Sequence, residues 1–269
     1  MSSPVIICRP NAAHPLRLFC FSYAGGHAGV FASWQAALEP YVEICGVQLP
    51  GRGSRIREPF ATAFAPLVEQ IARGIADSAD GRPFAFFGHS LGALLAFETA
   101  RLGARMGSPA PIHLFLSGSE PAASRPPVKA LHLMPDRELM RELQDFNGTP
   151  AEVLRNDEMM MFLLPMLRAD FALVHDYRYR PAPRLTMPIS VLAGRNDNRG
   201  NSMDVGKWGE ETTAECRLHW FDGDHFFINS HQHEVIDRVR AEMLDAGRRM
   251  RDAHRASEDA YECDVAAKP

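Results

Sequence analysis

The sequence predicts an α/β protein built on a doubly wound, mostly parallel sheet. Three observations carry this. Short apolar runs alternate with longer segments of helical pattern along most of the chain. The runs are nearly continuous in apolar residues, as strands covered on both faces should be. Strand followed by helix, repeated, implies right-handed crossovers between parallel strands.

In chain order, strands are expected at 16–21, 42–49, 84–88, 112–116, 189–193 and 218–221, and helices at 31–38, 64–79, 91–105 and 234–249. One stretch, 120–174, offers no strand for 55 residues. It opens with Pro121, Pro126 and Pro127, and helical segments follow at 136–146, 150–155 and 157–175. Pro135 and Pro150 sit where first-turn prolines are tolerated, whereas Pro165 lies inside a helix and should kink it. Six of the 12 methionines fall in this stretch: Met134, Met140, Met159, Met160, Met161 and Met166. They either fill the core of a helical subdomain or give a lid a soft surface for an apolar ligand. The expected division is therefore a core of 1–119 with 175–246, a helical lid insertion at 120–174, and a flexible tail at 247–269. The tail carries five basic and five acidic residues with almost no apolar periodicity.

The chain has 269 residues, 46% of them hydrophobic and 23% charged, as expected of a soluble globular protein with a substantial core. A net charge of −4 argues against a nucleic-acid binder. No apolar run is long enough to span a membrane. The opening M-S-S-P-V-I-I-C-R-P has no basic lead-in and only three consecutive apolar residues before Cys8, so it does not read as a secretory signal. A cytoplasmic location is expected. The five cysteines are odd in number, far apart and without a C-x-x-C pair, which argues against a disulfide scaffold or a zinc–cysteine site. Cys20 and Cys45 lie inside apolar runs and read as plain buried thiols.

The strongest chemical signal is G-x-S-x-G at 88–92, between an apolar strand and a helix-forming run. A sharp strand-to-helix turn needs glycines on both sides. It lifts the Ser90 hydroxyl above the sheet edge and aims the next helix N-terminus at the reacting oxygen. A serine hydroxyl needs a base, and in this arrangement the order is serine, acid, histidine. Asp197 follows an apolar strand and the Gly194 turn, with Asp204 as its rival seven residues later. His225 follows the last strand and the Gly223 turn. Among the other histidines, His89 is fixed inside the turn, His219 lies within a strand, and His231 and His233 open the final helix. No H-E-x-x-H pattern is present, and the acidic and histidine residues around 222–233 lack metal-ligand spacing. For a developing oxyanion, the donors expected are the backbone N–H groups of Leu91 and of Ala24, the latter in the glycine-rich loop after the first central strand. Tyr23, His27, Met159, Phe162 and Met166 are the further candidates for contact with substrate.

Taken together, F-S-Y-A-G-G at 21–26, V-Q-L-P-G-R-G at 47–53, G-H-S-L-G-A-L-L-A-F-E at 88–98, L-F-L-S-G-S at 114–119, G-T-P-A-E-V-L at 148–154, L-P-M-L-R-A-D-F at 164–171 and G-D-H-F-F at 223–227 resemble the type II thioesterases. These are stand-alone α/β-hydrolases that accompany polyketide synthases and nonribosomal peptide synthetases. The resemblance covers roughly residues 16–245. It implies an α/β-hydrolase fold with a mobile lid at 120–174. It maps the nucleophile, acid and base onto Ser90, Asp197 and His225, and the oxyanion donors onto Ala24 and Leu91. The activity implied is hydrolysis of acyl groups from the phosphopantetheine arms of carrier domains, which clears stalled or mis-primed chains without a cofactor of the enzyme's own. The partners implied are the carrier domains of a megasynthase. From the charge, hydropathy and spacing above, a monomer that binds neither metal, nucleic acid nor membrane is expected. A carboxylesterase or acyltransferase on the same scaffold, or a binding module that has lost the chemistry, stays open. Two departures from the family pattern stand out. Ser22 replaces the usual proline, and Asp224 stands before His225 where glycine is frequent. A carboxylate there would raise the histidine pKa if it pointed inward.

Overall fold

The computed structural model describes residues 5–8, 13–198 and 204–266. Seven strands form one sheet: β1 (Ile6–Cys8), β2 (Leu16–Phe21), β3 (Val42–Val47), β4 (Phe84–His89), β5 (Leu114–Ser117), β6 (Ile189–Gly194) and β7 (Cys216–Phe221). The helices are α1 (Gln35–Leu38), α2 (Phe64–Asp77), α3 (Leu91–Met106), α4 (Asp136–Phe146), α5 (Ala151–Leu154), α6 (Asp157–Asp176), α7 (Phe227–Ser230) and α8 (Gln232–Ala266). The strand order is β1-β3-β2-β4-β5-β6-β7. Only β1 runs antiparallel to its neighbour; every other pair is parallel.

The apolar runs become strands because both of their faces are buried. In β2, Phe19 and Phe21 join the core cluster that includes Leu67, Ile71 and Leu94 of α2 and α3. Leu16, Leu18 and Cys20 point the other way, into a cluster with Phe31, Trp34 and Val239. Helix α2 presents Leu67, Val68, Ile71 and Ile75 on one stripe, as a helix lying on a sheet must. Gly107, in the left-handed region at φ 66°, ends α3.

Sheet order reverses between β2 and β4: the chain moves outward from β2 to β3, then returns to β4 and continues the other way. In open α/β sheets, ligands bind at such a switch point, beyond the carboxyl ends of the strands. The loops after β2, β4, β6 and β7 all open onto that edge.

The structure departs from the sequence-based expectation at four places. The three-residue β1 is not foreseen, because so short an edge strand has no readable period. The helix expected at 31–38 is a 3₁₀ helix, Ala28–Trp34, followed by the single turn of α1. The stretch expected as a flexible tail carries α8 as far as Ala266; it is free of proline and, after Gly247, of glycine, and is rich in alanine and arginine. The end of that tail, 267–269, lies outside the described residues. Finally, Cys45 is not a plain thiol. It is disulfide-bonded to Cys8 across the β1–β3 pair, with Cα atoms 4.4 Å apart, because antiparallel pairing sets the two side by side. Cys20 is buried and free, as expected.

Between β5 and β6 the chain forms α4, α5 and α6, packed around a small core of their own that includes Leu131, Leu139, Leu143, Met160, Leu164 and Leu167. Helix α6 continues through Pro165. Among the described residues, no helix is long and apolar enough to cross a membrane.

Candidate active site

Strand β4 ends at His89, and Ser90 turns the chain directly into α3. Its backbone sits at φ 57°, ψ −115°, a conformation rare for any residue with a side chain and sustained only where the surroundings enforce it. The flanking glycines are what permit it. A Cβ on Gly88 would lie 2.2 Å from the Gly92 carbonyl oxygen, and one on Gly92 would lie 2.1 Å from that of Phe21. Strand β5 supports the turn from beside it: Ser90 N–H donates to the Ser117 carbonyl at 2.8 Å.

His225 follows β7. Its Nδ1 lies 2.9 Å from Oδ2 of Asp197, which follows β6; the histidine is 6% and the aspartate 3% exposed. Residues 197 and 225 meet because β6 and β7 are parallel neighbours whose turns leave the sheet at the same edge. Asp204 instead pairs with Lys207 on the surface, 2.8 Å away. His89 stacks obliquely on His225, with ring centroids 5.1 Å apart, and its Nδ1 is 2.9 Å from Ser117 Oγ. Burial pushes its pKa well down and the neighbouring His225 pushes it further, so His89 is a neutral packing partner.

Ala24 lies in a tight turn over 23–26. Gly26 N–H donates to the Tyr23 carbonyl at 2.9 Å, and Gly25 takes φ 81°, the combination of a type II turn. Leu91 opens α3 beside Ser90.

Ser90, His225 and Ala24 all line one cavity of about 260 Å³, roofed by the helices between β5 and β6. Of the further candidates for contact with substrate, Tyr23, His27 and Met166 line it too, with His27 exposed. Met159 and Phe162 do not. They are 46% and 67% exposed on the outer side of α6, because the face turned inward is the one carrying Leu163, Met166 and Leu167. The methionines thus divide: Met160 fills the helical core, Met166 faces the cavity, and Met159 and Met161 face outward. Phe146 and Phe171 also line the cavity, and sequence reasoning misses them; only the i, i+4 recurrence of 163, 167 and 171 signals that face.

Asp224 points away from the imidazole. Its Oδ1 accepts the Phe226 N–H and its Oδ2 accepts from Asn147 Nδ2, each at 2.8 Å, so it ties the loop of His225 to the end of α4. One group of possible metal ligands occurs among the described residues: Cys8, Glu43 and Cys45. There the sulfurs are bonded to each other and Glu43 is paired with Arg17 and Arg82, at 2.9 and 2.7 Å.

A family model described as a thioesterase domain matches residues 16–243. The chain belongs to the thioesterase family. Across 227 residues the thioesterase is 40% identical to the gramicidin S biosynthesis protein GrsT of Aneurinibacillus migulanus, covering 84% of this chain and 88% of that one. It is 35% identical over 235 residues to thioesterase PikA5 of Streptomyces venezuelae, covering 87% and 83% of the two chains. The type II thioesterase BorB from the borrelidin biosynthetic cluster shares its structure with a TM-score of 0.82 at 32% identity, over 91% of this chain and 99% of the other. Likeness in both sequence and fold makes this thioesterase a hydrolase of the type II class, on the α/β-hydrolase scaffold.

Proposed function

We propose that the enzyme hydrolyses acyl or aminoacyl thioesters held on the phosphopantetheine arms of carrier domains, and that it clears stalled or mis-primed chains as a stand-alone partner of a polyketide or nonribosomal peptide synthase. The reading is carried by one observation: Ser90, on its strained turn, shares an apolar cavity with a histidine that is itself held by a buried aspartate. His225 Nε2 removes the Ser90 proton as Oγ attacks the thioester carbon. The resulting oxyanion is held by the N–H groups of Ala24 and Leu91. The tetrahedral centre collapses, the carbon–sulfur bond breaks, and His225 returns the proton to the departing thiolate. Water then enters and its oxygen attacks the acyl carbon as His225 takes one of its protons; the second collapse breaks the bond to Ser90 Oγ, His225 returns the proton to that oxygen, and the acid leaves. Asp197 holds the imidazole with Nε2 facing serine and stabilises the imidazolium. Every group in this scheme belongs to the chain, so it calls for no cofactor; the pantetheine comes with the substrate.

The helices at 120–174 act as the lid. A cavity of about 260 Å³ suits a small acyl group, and the arm behind it must pass between lid and sheet. The test compares one acyl group on three carriers: a holo carrier domain, coenzyme A and N-acetylcysteamine. kcat/KM should be highest on the carrier domain. The gain appears in KM if docking adds uniform binding and in kcat if docking opens the lid. Equal values on all three would replace this reading with a general small-molecule thioesterase. Preference for oxygen esters would replace it with a carboxylesterase.

A further inference from the structure

Arg52 and Asp170 lie 118 residues apart in sequence and form a buried two-pronged ion pair. Nη1 and Nη2 of Arg52 each donate to one oxygen of Asp170, both at 2.6 Å. The residues are 5% and 1% exposed. Neither lines the cavity that Ser90 and His225 share. A buried ion pair is weak evidence for stability, since an apolar pair of the same shape often does as well.

What sets this pair apart is where its remaining bonds go. Asp170 Oδ2 also accepts the Gly25 N–H at 2.8 Å, and Arg52 Nη1 also donates to the Gly26 carbonyl at 3.2 Å. Both are backbone groups of the turn that carries Ala24. Asp170 shares its face of α6 with Leu167, and a Cβ on Gly25 would lie 2.7 Å from Leu167 Cδ2. The lid helix therefore packs against this turn and hydrogen-bonds it at the same place.

We propose that Asp170, held by Arg52, is a positioning residue for the oxyanion hole: from the lid helix it fixes the turn that aims the Ala24 N–H. The inference rests on the assignment of Ala24 to that hole. Its consequence is that the hole is fully formed only while α6 is seated. Lifting the lid strips Gly25 N–H of its acceptor and Arg52 of its carboxylate, so that Arg52, from the core side, is left to hold the Gly26 carbonyl alone.

Three variants test it: Asp170→Asn, Arg52→Lys, and the paired Arg52→Met with Asp170→Leu. The first spoils the acceptor arrangement. The second keeps the charge but loses the fork. The third removes both buried charges together, which spares the fold, yet leaves Gly25 N–H without its acceptor. Each is measured for melting temperature, for kcat and KM on an acyl thioester, and for the rate at which a fluorophosphonate labels Ser90. Loss of a whole oxyanion donor costs about 10²–10³ in kcat. A misaimed donor should cost less, about 10- to 100-fold, in Asp170→Asn and in the paired variant. KM should stay within about threefold, the labelling rate should fall with kcat, and the pH profile should keep its shape. A paired variant that melts like the parent and turns over within twofold of it would overturn the proposal, as would loss of the fold in all three. A parent enzyme that is not labelled at Ser90 would overturn the active-site assignment itself, a distinct result.

Discussion

Asp197→Asn is the sharpest test of the catalytic assignment, because it changes charge and tautomer while leaving shape almost untouched. In the parent, Asp197 Oδ2 faces His225 Nδ1 at 2.9 Å and both residues are nearly fully buried. In the proposed mechanism the imidazole becomes an imidazolium during attack on the thioester. Taken as unit charges at that separation in an effective dielectric near 20, the pair is worth about 6 kcal/mol. At 1.36 kcal/mol per decade, that corresponds to a loss of about 10⁴ in kcat. Serine proteases lose about 10⁴ for the equivalent change, where the amide also favours the wrong tautomer. The assay is stopped-flow release of thiol from a chromogenic thioester, with the acyl-enzyme burst resolved from turnover. The burst rate should fall with kcat while KM changes little, and the melting curve should show a folded protein. An Asp197→Asn enzyme within tenfold of the parent would refute the reasoning and send the search for the acid elsewhere, with Asp204 first.

Ser90→Ala should abolish the burst and fluorophosphonate labelling while leaving circular dichroism unchanged; turnover near the parent rate would mean another nucleophile. Gly92→Ala puts a methyl group 2.1 Å from the Phe21 carbonyl oxygen, a contact only backbone movement can relieve. We expect a loss of about 3 kcal/mol, the upper end for overpacking, and a melting point lower by roughly 10 °C; an unchanged melting point would contradict the close approach of α3 to β2. Glu242, on α8, meets His113 at 3.2 Å and His219 at 2.7 Å. Burial alone would raise its pKa, but hydrogen bonds from His113, His219 and Ser190 outweigh it and hold the carboxyl well below its usual range. A depressed folded-state pKa stabilises above the unfolded value near 4.3 and loses that contribution as pH falls through the folded one. Glu242→Gln should therefore lower the melting point at pH 7, with the gap to the parent closing below pH 4; a constant gap would show that the charge is not the cause.

The placement of Ser90, Asp197 and His225 at one edge of the sheet is legible because each follows an apolar run with a glycine beside it, and parallel strands bring such turns to one edge. The same reasoning recovers the order of elements along the chain. It does not reach contacts set by the packing of distant segments. Which side of α6 faces the cavity depends on how the helix seats, so Met159 and Phe162 looked as suitable as Leu163 and Phe171. The Arg52–Asp170 pair joins two segments remote in sequence, and neither residue sits in a local pattern that names its partner. Cys8 escaped pairing with Cys45 for a related reason: three residues are too few to announce a strand, and without β1 nothing brings the two cysteines together.

The tie between Asn147 and Asp224 bears on how these enzymes diverge. It joins the roof of the cavity to the residue just before His225, and it needs both side chains at once. Where glycine stands before the histidine, as is frequent in the family, that tie has no carboxylate to form on. In this chain the aspartate and the amide therefore work only as a pair. A chain that gains the aspartate without an amide opposite leaves a charge beside its base with nothing to hold it outward. A chain that keeps the amide without the aspartate has a roof released on that side.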